Sequence, residues 1–99
     1  MTWYQQGDVT IKPVGIPQAA QRVNVNILAD GEATGHAHRV VGDAELLRMG
    51  DRLFLRVLGG DVRVIHEEHK EIPLPPGEYE IGRVREYDHV AELPHTVRD

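Results

Sequence analysis

Apolar and polar residues alternate along several short stretches of this chain. The clearest are residues 23–29, 52–58 and 61–66, in which every second side chain is apolar. A period of two is typical of a β-strand with one buried face. Residues 8–12 alternate in the same way and end at Pro13, which predicts an early strand at a sheet edge. No stretch of ten or more residues has a helical period.

Turn residues separate the predicted strands. Residues 44–48 are expected to pair with residues 52–58 as a hairpin across Met49-Gly50-Asp51. Residues 67–76 contain three prolines and are predicted to be irregular. Residues 78–87 form the last long predicted strand.

Six to seven short strands with frequent turn signals predict a small all-β domain, either a β-barrel or a compact sandwich. With 99 residues the chain is expected to form a single domain. We place this β domain at residues 1–88 and a C-terminal tail at residues 89–99.

Composition narrows the functional classes. A formal net charge of −5 argues against broad, charge-driven binding of nucleic acid. The absence of cysteine excludes thiolate metal sites and cysteine nucleophiles. No apolar run approaches the roughly 20 residues that span a bilayer, and the first residues do not form a signal peptide. We therefore expect a cytoplasmic protein that does not enter membranes.

The candidate chemistry lies in two histidine motifs, Gly35-His36-Ala37-His38-Arg39 and His66-Glu67-Glu68-His69. In a strand, His36 and His38 would point to the same face about 6.6 Å apart. Imidazoles that converge from neighbouring strands form metal sites or acid–base pairs. A site of either kind requires the two motifs to lie next to each other in the folded chain.

Our first interpretation is a divalent metal site, with possible hydrolytic chemistry. His36, His38 and His66 would be primary ligands, and His69 a fourth ligand or a proton shuttle. Glu67 or Glu68 would be an acid–base group or would orient a ligand. Imidazole donors suit Zn, Fe, Mn or Ni.

Three alternatives stay open. In the second interpretation the histidines act without metal as general base and acid on a phosphodiester, with RNA as the polymer and with Arg39 or Lys70 neutralising the developing negative charge. The candidate catalytic residues are Glu67, His69 and Arg39. In the third the chain is a non-enzymatic module that forms a homo-oligomer or binds a partner through a sheet edge. The histidines could also form only hydrogen bonds at strand ends. The substrate, a small molecule or RNA, is not specified.

Arginines alternate with apolar residues along several predicted strands. We expect them to form exposed ion pairs with glutamates across the sheet rather than an anion-binding surface. The arginines are Arg52, Arg56, Arg63, Arg83 and Arg85, and the glutamates are Glu78, Glu80 and Glu86.

Two resemblances add to these interpretations. The His36–His38 pair, an acidic Asp43 and the Pro75-Pro76-Gly77 turn resemble the cupin pattern, which implies a metal-bearing β-barrel, although the final cupin histidine is missing. The two histidine motifs and the proline turn together also resemble a family of small bacterial proteins. That second resemblance spans most of the chain and implies no activity.

Overall fold

A computed structural model describes residues 2–30 and 36–84, and they form ten antiparallel strands. The strands are β1 (Tyr4–Gln6), β2 (Val9–Pro13), β3 (Gln21–Val23), β4 (Ile27–Asp30), β5 (Ala37–Val41), β6 (Ala44–Met49), β7 (Arg52–Val57), β8 (Arg63–His66), β9 (His69–Pro73) and β10 (Gly77–Arg83).

The strands form two sheets. The larger sheet has the order β1-β2-β10-β7-β6-β3, and the smaller has the order β4-β5-β8-β9. The all-β prediction is confirmed, with more strands than the six or seven expected. Within the described ranges the sheets do not join into a closed barrel, whereas the compact sandwich agrees with the two-sheet arrangement.

The core draws its side chains from both sheets. Val9 and Ile11 of β2 and Leu55 of β7 are fully buried, and so is Val64 of β8. These residues belong to one apolar cluster. Burying a side chain of this size stabilises the fold by about 1.5–3 kcal/mol.

The predicted hairpin of β6 and β7 is confirmed. Its register runs from Ala44 opposite Val57 to Met49 opposite Arg52, with a two-residue turn at Gly50 and Asp51. Leu53, Leu55 and Val57 all belong to the core, as their alternation predicted.

Residues 23–29 do not form the single strand that their alternation predicted. The chain leaves the larger sheet after Val23 and enters the smaller sheet at Ile27. Val25, between the two strands, is 58 % exposed. Alternation cannot distinguish one strand from two that pair with different partners.

Three further predictions need correction. The β2 strand is not at an edge, because it pairs with both β1 and β10. Residues 67–76 are not wholly irregular, since β9 pairs with β8. The last strand, β10, ends at Arg83 rather than at residue 87. The proposed tail at residues 89–99, together with Arg85, Glu86, His89 and His95, lies outside the described residues.

Cross-strand ion pairs with glutamates cover the outer surface at Arg52, Arg56 and Arg63, as expected, whereas Arg83 pairs with an aspartate. Arg52 donates two hydrogen bonds to Glu80, and Arg56 bridges Glu45 and Glu78. These contacts lower the pKa of Glu80, and a backbone N–H from Ile16 followed by Arg56 lowers that of Glu78. The remaining pairs are Arg63 with Glu71 and Arg83 with Asp8.

The turn from β5 to β6 requires a glycine. Gly42 has φ of 109°, and a Cβ there would lie 2.9 Å from Val62 Cα. We expect Gly42→Ala to lower the free energy of unfolding by about 1.5 kcal/mol, because an L side chain is strained at this φ.

Chemical denaturation measures this effect, with Gly60→Ala as the matched control. A Cβ on Gly60 would meet nothing within 4 Å, and its φ is not positive. Equal stability of the two variants would contradict the assignment.

Candidate metal centre

The two histidine motifs meet at one end of the smaller sheet. His36 directly precedes β5 and His38 lies within it, while His66 ends β8 and His69 begins β9. Since β5 pairs with β8 and β8 with β9, the three strand ends are adjacent. Glu67 and Glu68 form the two-residue turn between β8 and β9.

The four imidazole rings are neighbours. The ring centroid of His66 lies 4.3 Å from that of His38, 4.6 Å from that of His69 and 5.7 Å from that of His36. The rings of His38 and His69 are nearly parallel, with centroids 5.9 Å apart. The two motifs, about thirty residues apart in sequence, therefore share one site.

Among the residues that the structure describes, one group of three has ligand atoms close enough together to hold a metal ion. It consists of His36, His66 and Glu67, with one ligand atom from each and all three within 4.8 Å of one another. We call these residues the triad. Metal–nitrogen bonds near 2.1 Å place tetrahedral ligands about 3.4 Å apart, so small side-chain movements would bring the triad to this spacing.

Glu67 is an anion that is already oriented. One carboxylate oxygen accepts the backbone N–H of Ala37 and the other accepts a guanidinium N–H of Arg39, both at 3.1 Å. Backbone hydrogen bonds, first from its own amide and then from Ala37, together with Arg39, lower the pKa of Glu67 to about 2. A carboxylate has about four lone-pair sites, so these three donors leave one for a metal.

His66 and His36 both interact with Glu68. His66 Nδ1 accepts the backbone N–H of Glu68 at 3.0 Å, which in the neutral ring leaves the proton on Nε2. A metal bond to either nitrogen would therefore break this hydrogen bond. His36 Nδ1 lies 3.4 Å from a carboxylate oxygen of Glu68.

His38 is the buried member of the cluster, and Gln6 fixes its tautomer. Gln6 Nε2 donates to the carbonyls of Val64 and Lys70, so its Oε1 faces His38. This oxygen lies 2.8 Å from His38 Nδ1, which must donate. His38 Nε2 therefore carries the lone pair, the form in which imidazole binds metals or accepts protons.

His38 is neutral at ordinary pH. Burial, followed by the nearby His66, lowers the pKa of His38 to about 4, with smaller contributions from His69 and Arg83. The negative charge of Asp8 raises the pKa of His38, but by less than the other groups lower it. A neutral imidazole offers a metal its lone pair without first losing a proton.

Three further residues of the site, Gln6, Gly7 and Asp8, carry no motif in the sequence. Gln6 ends β1, and Gly7 and Asp8 form the turn to β2. The larger sheet places all three against the histidines of the smaller sheet. A Cβ on Gly7 would lie 2.8 Å from His69 Nε2 and 3.4 Å from His38 Cε1, so glycine leaves room for both rings. No motif marks these residues, because only packing between the sheets brings them to the site.

Of the other residues predicted to belong to the site, Arg39 lies within it and Asp43 lies outside it. Arg39, predicted to neutralise developing negative charge, is paired with Glu67. Asp43, the acid of the cupin-like pattern, follows the opposite end of β5 and lies against Gly59. The structure does not bring Asp43 to the histidines. The catalytic roles suggested for Glu67, His69 and Arg39 stay predictions.

These features define a two-sheet, all-β domain with histidines and carboxylates gathered where the sheets meet. The chain belongs to the family described as Domain of unknown function (DUF8820), which matches residues 5–84. That span contains the triad, Gln6, Asp8 and His38. No curated protein and no solved structure matches the chain. In the described parts of the chain, no helix is long and apolar enough to cross a membrane.

Proposed function

We propose that this protein binds a divalent transition metal ion through His36, His66 and Glu67. The observation that carries the proposal is the convergence of one ligand atom from each residue within 4.8 Å. Two imidazoles and one carboxylate are the donor set of several catalytic zinc and iron sites. Zinc is the natural first probe, with iron, manganese and nickel as competitors.

Electrostatics supports the same assignment. Glu67 keeps its negative charge even in acid, because hydrogen bonds from its own amide, then from Ala37 and Arg39, stabilise the carboxylate and lower its pKa. Those contacts also hold the carboxylate beside His36 and His66 before any ion arrives. A ligand oriented in advance loses less conformational freedom on binding.

Calorimetric titration of zinc into tag-free protein, stripped with EDTA and dialysed, tests the proposal. We expect His36→Ala and Glu67→Gln each to lose one equivalent of tightly bound zinc. Glu71→Gln is the matched carboxylate control, since Glu71 lies on the adjacent β9 but is paired with Arg63. His95→Ala is the histidine control. Zinc binding by Glu67→Gln equal to that of the parent protein would refute the triad.

Three protein ligands leave room for water, and zinc can lower the pKa of bound water to about 7. Hydrolysis is the chemistry that such a site would supply. Assays on a chromogenic phosphodiester and on a short RNA, with and without chelator, test it. Activity that EDTA removes would support metal-dependent hydrolysis, whereas activity that survives EDTA and needs His38 would support the metal-free acid–base alternative.

A further inference from the structure

Two hydrogen-bond acceptors face each other beside the triad. His38 Nε2 lies 3.8 Å from Asp8 Oδ1, and the His38 side chain is only 3 % exposed. Gln6 holds the proton of the neutral ring on Nδ1, so Nε2 presents a lone pair to the carboxylate. A buried acceptor that points at a second acceptor needs a donor or a cation between them.

The separation of these atoms suits a bridging metal ion. A direct N–H···O hydrogen bond would bring them to about 2.9 Å. Two metal bonds near 2.1 Å place ligand atoms about 3.4 Å apart at a tetrahedral angle and about 4.2 Å apart when collinear. The observed 3.8 Å lies between these limits.

We infer that Asp8 and His38 form a second divalent-cation site, separate from the triad, with Asp8 Oδ1 and His38 Nε2 as ligands and Gln6 as the residue that orients His38. Arg83 lies near the other carboxylate oxygen, Oδ2, at 3.7 Å, and leaves Oδ1 to the ion. Metal-binding histidines commonly donate their second ring N–H to a fixed acceptor, which is the role of Gln6.

His69 is a neighbour of this pair, but neither of its ring nitrogens lies within 4.8 Å of both ligand atoms, so its side chain would have to move to add a third bond. Its ring is nearly parallel to that of His38, and both rings approach the same point beside Gly7. The His66 ring, 4.3 Å from that of His38, belongs to the triad and makes the two sites neighbours. Asp8, His38 and Gln6, which the triad does not use, thus have their own function in the second site.

The test removes the triad and asks what zinc binding remains. In the double variant His36→Ala/Glu67→Gln we expect one zinc equivalent to persist, and addition of Asp8→Asn should abolish it. Asp51→Asn, in the exposed turn between β6 and β7, is the matched control and should leave it unchanged. The double variant, with Asp8 intact, also allows nitrogen-15 NMR of His38, whose Nε2 resonance should shift on addition of zinc while Nδ1 stays protonated.

The outcomes separate this site from the proposed function. Loss of all zinc binding in the double variant, or an unmoved His38 Nε2 resonance, would overturn the second site and leave a water between Asp8 and His38. Retention of the zinc after Asp8→Asn would overturn it as well. If His36→Ala/Glu67→Gln loses no zinc but Asp8→Asn does, the triad fails and the second site stands.

Discussion

Replacing Gln6 with methionine is expected to lower the free energy of unfolding by about 3 kcal/mol, although the two side chains are similar in size. The substitution removes one acceptor and one donor group from a site that is 2 % exposed. The carbonyls of Val64 and Lys70 and the N–H of His38 would lose their Gln6 partner. Each buried polar group left without a partner costs about 1–3 kcal/mol.

Urea unfolding in the presence of EDTA measures this effect without a contribution from metal. Gln18→Met is the matched control, because Gln18 is exposed in the segment between β2 and β3. We expect the control to change stability by less than about 0.5 kcal/mol. A loss below about 1 kcal/mol in Gln6→Met would show that Gln6 does not hold the two sheets together as described.

The second large effect is a loss of stability in mild acid. The pKa of His38 is about 4 in the native protein, below its usual 6.5, so the unfolded chain binds more protons at intermediate pH. Stability is therefore fully present above pH 6.5 and falls as the pH drops towards 4. For metal-free protein we expect a decrease of about 2 kcal/mol between pH 7 and pH 5.

This interval lies above the ordinary pKa of carboxyl groups, and Glu67, with a pKa of about 2, stays ionised throughout. Urea titrations at several pH values measure the slope of the free energy of unfolding against pH. His38→Gln, which has no titrating group at this position, is expected to flatten it. An unchanged slope in the variant would assign the pH dependence to other groups and contradict the buried, neutral state of His38.

The alternation of apolar and polar residues was sufficient to predict a strand where one face of that strand is buried along its whole length. In β7, Leu53, Leu55 and Val57 alternate and all three reach the core. The same pattern failed at residues 23–29, because Val23 and Ile27 pair with strands of different sheets. It also missed β9, whose exposed face and terminal Pro73 hide its pairing with β8.

The candidate site, too, was predictable from the sequence only in part. The two histidine motifs stand out in the sequence, and the pairing of β5 with β8 brings their rings together. The sequence did not indicate that His38, rather than His36, would be the buried ring. Burial of His38 depends on Gln6 at the end of β1 and on the turn that follows it, which together close over this end of the smaller sheet.

The sequence by itself determined an all-β domain and the residue types available for its chemistry, because alternation and side-chain identity are local properties. Tertiary structure decided which strands share a sheet, which imidazole is buried, and that Gln6 and Asp8 face His38. Contacts between residues thirty or more positions apart decide these features. Packing and desolvation at the junction of the two sheets supply the free energy of these contacts. No single strand contains the information for them.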